Sequence, residues 1–235
     1  MRDTIAVSLN SPSASRLHRL RSLRWSVLRR DRSLPHLERK FYHFVMGCIC
    51  FSLYAFFLTR EESLLLLATI GGAFVLLDVF RLWFPSMNAL ALKLFGKIMR
   101  RNELRSITGN SFYVLGLFVV VAFFPKPIVL LSVIFLGLGD PIAAVVGSLY
   151  GRHKLIGKKS VEGAAANLVT TWLVVIAVGL WYFGFPIDQA FRLACVGAVI
   201  SMVVELLPFR LDDNFTIPVS SAILLTLVNR VLPLW

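Results

Sequence analysis

Acidic residues are scarce in this chain: 13 Asp and Glu stand against 25 Lys and Arg, a formal net charge of +12. Cysteine is scarcer still. Cys48, Cys50 and Cys195 all fall in apolar runs, which excludes a disulfide framework and a zinc-binding spacing. No internal repeat is visible. The phosphate-binding loop of soluble nucleotide enzymes is missing too. Residues 151–160 (GRHKLIGKKS) imitate one, but five residues separate Gly151 from Gly157, and Lys159 stands where Ser or Thr should follow Lys158. The first 37 residues contain no apolar run of the kind a secretory signal needs.

What the chain has in quantity is hydrocarbon. Hydrophobic residues make up 57% of it, with a mean hydropathy of +0.74, against about 45–50% apolar residues in a soluble domain. Apolar runs long enough to cross a bilayer are expected at 41–58, 64–84, 111–124, 127–149, 164–183, 187–207 and 217–234. Basic residues gather before the first run, between the second and third, and between the fourth and fifth, while 59–63, 124–127 and 184–186 carry few. The charge bias of membrane loops then predicts an all-α polytopic protein with seven spans, its N-terminus in the cytoplasm and its C-terminus outside. Basic charge in such a chain points to anionic membrane lipids and not to nucleic acid.

The chain divides into a basic segment, 1–37, and a membrane domain, 38–235. Residues 1–15 are polar and Ser-rich, and disorder is expected there. In 16–32, Leu17, Leu20, Leu23, Val27 and Leu28 recur at helical spacing among seven arginines. That pattern suits a helix lying on an anionic membrane face. A second interfacial helix is expected over 87–101, where Leu90, Leu94 and Ile98 alternate with Lys93, Lys97, Arg100 and Arg101.

The predicted topology collects the polar residues at one level. Arg39, Lys40 and His43 begin the first span. Asp78 and Arg81 end the second, three apart, where they either pair structurally or join a site. Asn110 precedes the third, Asp140 lies in the cytoplasmic half of the fourth, and Glu205 ends the sixth. Lys154, Lys158, Lys159, Ser160 and Glu162 precede the fifth, and Asp213 and Asn214 precede the seventh. An acid inside a span costs about 2.5–3.5 kcal/mol on insertion scales and marks a functional site by default. Asp140, Glu162, Glu205, Asp213 and Asn214 offer the hard oxygen ligands that Mg²⁺ takes alongside phosphates. Lysine and arginine neutralise phosphate oxygens. Gly147 and Gly163, beside the cationic loop, allow close backbone approach. These residue types describe nucleotide and metal handling at a membrane surface.

The ordered blocks RKFYH (39–43), DVFRLWFP (78–85), MRRNELRSITGNSFYVLG (99–116), GDPIAAVVGSLYG (139–151), KKSVEG (158–163) and DNFTIP (213–218) resemble the CTP-dependent lipid kinases. That family comprises dolichol kinase, phytol kinase and the CTP-dependent diacylglycerol kinase. The second and third blocks look most like the diacylglycerol kinase branch. By motif, the family's important positions fall on Arg39, Lys40, Asp140 and Gly147, and on Lys159, Ser160 and Gly163. The resemblance implies CTP as phosphoryl donor, a divalent cation such as Mg²⁺, and a lipid alcohol as acceptor. Residue types and resemblance together put the expected nucleotide contacts on Arg39, Lys40, Asn110, Gly147, Lys154, Lys158, Lys159, Ser160 and Gly163, and the chemistry on Asp140, with His43 as a second candidate base. Gly139-Asp140-Pro141 departs from the Ser-Asp-Thr of the diacylglycerol branch, so the acceptor stays open among diacylglycerol, polyprenol and phytol. Lys159-Ser160-Val161-Glu162-Gly163 also fits an element of the phosphatidate cytidylyltransferases. A lipid transporter or binding protein is the non-enzymatic alternative.

Overall fold

The computed structural model describes residues 37–95, 99 and 102–234. The expected helix at 16–32, the stretch before it where disorder is expected and most of 96–101 lie outside the described residues. Eight helices follow: α1 Leu37–Ser52, α2 Arg60–Trp83, α3 Pro85–Phe95, α4 Gly109–Phe123, α5 Lys126–Leu149, α6 Val161–Trp181, α7 Ile187–Leu206 and α8 Asp213–Val231. α1 continues as a π-helical turn, Leu53–Phe57. Seven of the eight occupy the segments expected to span, and α3 covers the first part of the expected 87–101 helix. Five are long and apolar enough to cross a membrane: Glu38–Phe57 and the helices α2, α5, α6 and α7. α4 is apolar but only 15 residues long.

Polar caps move several boundaries from their expected places. Ser160 accepts a hydrogen bond from the Gly163 N–H, so α6 begins before Ala164. Asp212 accepts one from the Asn214 N–H, so α8 starts four residues before Ile217. Thr59 and Glu62 form a reciprocal capping box at the start of α2. In each case a residue whose polarity reads as loop is the first turn of a helix.

α5 is the centre of the bundle. From Ile128 to Leu136 its residues are buried all round, the signature of a helix enclosed by others. Between lipid-solvated helices the hydrophobic effect supplies no attraction, so close packing of small residues must hold them together. α7 presents Ala190, Ala194, Gly197, Ala198 and Ser201, all buried, on one face. A Cβ on Gly179 of α6 would lie 3.0 Å from that of Ala190. α1 meets α5 glycine on glycine: a Cβ on Gly47 would stand 2.5 Å from the Gly137 Cα. The lipid side carries exposed rings and aliphatics instead, among them Phe56, Phe57, Leu65 and Ile70. Exposed Trp83 and Trp181 end α2 and α6, where aromatic rings anchor a helix at the membrane–water interface.

Just beyond Gly137 the central helix changes winding. Pro141 has no N–H for a helical hydrogen bond, and the turn before it, Phe135–Gly139, is π-helical, with the Asp140 N–H reaching back five residues to the Phe135 carbonyl. Such bulges recur at functional sites. At the far end of the bundle the π turn Leu53–Phe57 leaves the Ala55 carbonyl to Lys126 Nζ at 3.1 Å and to the Tyr182 hydroxyl at 2.9 Å.

The glycine contact gives the first prediction. Gly137→Val places branched carbon against the α1 backbone, which cannot yield as a side-chain end does. It should destabilise the protein by about 3 kcal/mol or more, seen as a lowered melting temperature in detergent. The same change at Gly72, where a Cβ meets nothing within 4 Å, should leave melting nearly unchanged.

Candidate active site

Three residues of α1 follow from its register against α5. Two turns before Gly47, Lys40 extends its ammonium to the Asp140 carboxylate at 2.7 Å, both side chains nearly buried. Arg39 and His43 sit one helical turn apart and lie within electrostatic reach of the same carboxylate. His43 is buried, its ring 5.7 Å from that of Tyr113. Asp140 accepts a single hydrogen bond among the described residues, from Lys40. An ionised carboxylate can accept about four, so it keeps capacity for a ligand.

The other expected charges approach from α6, α7 and α8. Residues 153–161 form a tight hairpin. The Leu155 N–H donates to the Lys159 carbonyl (2.9 Å), the Val161 N–H donates to that of His153 (2.9 Å), and Gly157 turns at φ +58°. The hairpin exposes Arg152, Lys154 and Lys158 and sends Lys159 inward. Its ammonium lies 3.7 Å from Glu205 Oε1 and also donates to the Glu205 backbone carbonyl. Glu205 is buried, and its Oε2 finds no hydrogen-bond partner among the described residues. It lies in electrostatic reach of Asp140, Asp213 and Lys40. The structure thus brings Arg39, Lys40, His43, Asp140, Lys159, Glu205 and Asp213 together.

The remaining expected residues do other things. Gly147, Gly151 and Gly163 wrap the buried Ser160: a Cβ on Gly147 would stand 3.0 Å from Ser160 Oγ, and one on Gly163 would stand 2.6 Å from the Ala143 carbonyl. This is where α5 and α6 close on each other. Glu162 faces the hairpin, accepting from the His153 N–H (3.2 Å) and pairing with its Nδ1 (2.8 Å). Asn214 is buried and donates to the Gly109 carbonyl at 2.9 Å. The five expected metal ligands are therefore not gathered into one set. Among the described residues, no group of three His, Cys, Asp or Glu side chains is arranged to hold a metal ion. What does suit a cation is narrower, namely the orphaned Glu205 oxygen and the spare capacity of Asp140.

Asp78 and Arg81 belong to a different structure. Asp78 accepts from Arg81 Nε (2.6 Å), the Thr108 N–H (2.7 Å), the Thr108 hydroxyl (3.0 Å) and the Ser111 hydroxyl (2.7 Å). Arg81 also donates to Asn88 Oδ1 and to the Glu103 and Ser106 carbonyls, at 2.8–2.9 Å. Four bonds to the carboxylate and four from the guanidinium pin α2, α3, the 103–108 turn and the start of α4. The pair is a clasp.

Sequence reasoning did not single out Asn167, Thr171 and Ser201. All three are buried; the Ser201 hydroxyl donates to Asn167 Oδ1 at 2.8 Å, beside Gly139. The available signal was their spacing: 163, 167 and 171 lie on one helical face within an apolar run. Glu103, whose Oε1 accepts from the Gly109 N–H at 3.0 Å, was also overlooked. So was a cavity of about 300 Å³ that Arg39, His43, Asn110 and Asn214 line together with α2 and α3.

Fold and site define a polytopic helical membrane protein with a cation-rich polar centre at one end of its bundle. The comparisons with known proteins agree. The chain is 32% identical over 207 residues to the CTP-dependent diacylglycerol kinase 1 of Eremothecium gossypii, covering 80% of this chain and 65% of that protein. The enzyme of the same name from Schizosaccharomyces pombe is 31% identical, covering 64% of this chain and 74% of its own length. Phytol kinase 1 of Arabidopsis thaliana is 26% identical, covering 83% and 67%. No family model matches the chain, and no solved structure does. The chain belongs to the CTP-dependent lipid kinase family. It spans just under two thirds of the length of the Eremothecium relative.

The clasp supplies the second prediction. Asp78→Ala leaves Arg81 buried without its counter-charge, a loss of about 3–5 kcal/mol. It should appear as early unfolding and protease sensitivity near 103–108. The surface pair Arg192 and Asp188, 3.3 Å apart and exposed, is the control; its removal should cost less than about 1 kcal/mol.

Proposed function

We propose that this chain transfers the γ-phosphoryl group of CTP to the hydroxyl of a lipid alcohol, diacylglycerol first, at the cytoplasmic face of its membrane. The observation that carries the reading is the buried Lys40–Asp140 pair. A buried ion pair is a poor stabiliser, and this one holds an under-satisfied carboxylate at the break of the central helix. Diacylglycerol is preferred over phytol and polyprenol because the relatives above 30% identity bear the diacylglycerol kinase name.

In this reading the triphosphate enters beside the hairpin, meeting the exposed Arg152, Lys154 and Lys158 and then Lys159. Its oxygens compete with Asp140 for the Lys40 ammonium. Asp140, released, accepts the proton of the lipid hydroxyl as that oxygen bonds to the γ-phosphorus. The bond between the γ-phosphorus and the β,γ-bridging oxygen breaks, and CDP leaves. The cations hold charge on the transferring group, which is most of what phosphoryl transfer requires. Asp140 and Glu205 are the residues that would hold a Mg²⁺ carried in on the phosphates; bound there, the ion would neutralise the β- and γ-oxygens. His43 is the second candidate for the proton. The basic loops favour the cytoplasmic side, and negative lipids there suit the chain's charge.

Purified protein given γ-labelled CTP should move label onto diacylglycerol, with less onto phytol or polyprenol. Asp140→Asn should lower turnover by about 10²–10³-fold in protein that remains folded; melting should fall as well, since buried Lys40 loses its counter-charge. Retained turnover would remove Asp140 from its role. Transfer of cytosine label to phosphatidate instead would identify a cytidylyltransferase. For orientation, a single cysteine replacing Lys158 in a cysteine-free background should react from the cytoplasmic side. One replacing Gly184 should react only from the opposite side.

A further inference from the structure

The cavity at Arg39 and His43 has two unlike ends. One end is polar: Arg39, His43, Asn110 and Asn214, beside the clasp of Asp78 and Arg81. The walls are hydrocarbon: Phe74 and Leu77 of α2, then Met87, Leu90, Ala91 and Leu94 of α3. The four α3 residues follow the i, i+3, i+4, i+7 rule, so they form one face of that helix. α3 has no buried residue anywhere along it, and Leu90 and Leu94 are 57% and 63% exposed. The helix is tethered near its start, where Arg81 Nη1 donates to Asn88, and it leaves a gap against α2 that the described residues do not fill. An apolar space of this kind stays dry and takes apolar ligands.

Two substrates would have to meet at Asp140, and α1 separates the sides from which they arrive. Arg39 and His43, four residues apart, share the face that lines the cavity. Lys40, turned by one residue, reaches Asp140. The α3 face, Phe74 and Leu77 offer no donor to a cytosine ring and no cation to a triphosphate, and Arg81 at the polar end is engaged by Asp78, whereas the hairpin beyond Asp140 exposes three cations. The cavity suits a chain of methylenes with an oxygen at its inner end. A few polar groups closing an apolar pocket is the usual composition of a small-molecule site.

We propose that the cleft between α2 and α3 is the acceptor site, holding an acyl chain of diacylglycerol with the free hydroxyl turned to Arg39 and His43 beside Asp140. The lipid enters from the bilayer past Leu90 and Leu94, and α3 is the wall that sets which chains fit. This rests on the kinase reading for the identity of the lipid, but the cleft can be tested without turnover. The test uses the full chain in nanodiscs with a diacylglycerol bearing a diazirine at mid-chain, and photolabelled peptides mapped by mass spectrometry. Label should fall on 74–77 and 87–94, and unlabelled diacylglycerol should displace it while phosphatidylcholine does not. Label elsewhere, or equal displacement by phosphatidylcholine, overturns the proposal.

In kinetics, Ala91→Trp fills the cleft and should raise the KM for diacylglycerol about tenfold with the KM for CTP unchanged. If that variant does not fold, Leu94→Trp at the exposed lip makes the same test. An unchanged KM for diacylglycerol in a folded variant refutes the cleft and leaves the kinase reading standing. If the unaltered protein phosphorylates no alcohol, the kinase reading falls, and the photolabelled positions alone still decide whether the cleft binds the lipid.

Discussion

The site depends on a contact that has no side chain in it. Gly47 and Gly137 let the backbones of α1 and α5 touch, and everything polar is registered from that crossing. Two turns back along α1 and one turn on along α5, Lys40 meets Asp140. A larger residue at the crossing would push the helices apart and draw a cation away from a buried acid, in a medium where neither can be left alone at low cost. Packing and electrostatics are here one constraint. Small residues do the same between α6 and α7, where close contact and the Ser201–Asn167 hydrogen bond hold helices that lipid would solvate as well.

Two acid–base pairs near the same end of the bundle show how structure and function divide. Asp78 and Arg81 are saturated with partners on three chain segments. Asp140 and Lys40 lie 100 residues apart in sequence and share one bond. The first arrangement has its bonds committed to the fold. The second has acceptor capacity on the acid, neighbouring cations that a phosphate can recruit, and a carboxylate, Glu205, with an oxygen still to be satisfied. Composition treats the two pairs alike; the count of hydrogen bonds separates them.

Much of the fold was legible because the bilayer simplifies the grammar. Long apolar runs can only be helices when backbone groups must be satisfied within the segment, and the helices lie where those runs are. The gathering of Arg39, Lys40, Asp140, Lys159, Glu205 and Asp213 at one level was legible for the same reason. Roles inside that gathering were not. Glu162 carries the right charge at the right level, yet it turns to His153, and Asn214 turns to the Gly109 carbonyl. Which way a side chain turns depends on neighbours distant in sequence. The α3 face was also out of reach, because an amphipathic helix beside a membrane reads as interfacial whether its apolar face meets lipid head groups or a cleft.

The π-helical turn before Asp140 bears on how this chain can change over time. Each residue added to or removed from a helix rotates everything beyond it by about 100°. The extra residue wound into Phe135–Gly139 is therefore part of the address of the carboxylate. A volume-conserving substitution at Phe135 or Leu136 keeps that address, whereas a side chain on Gly137 meets the α1 backbone and does not. A single deletion, however mild chemically, would swing Asp140 away from Lys40 while leaving the helix intact. In this segment the number of residues places the carboxylate as firmly as their kind does.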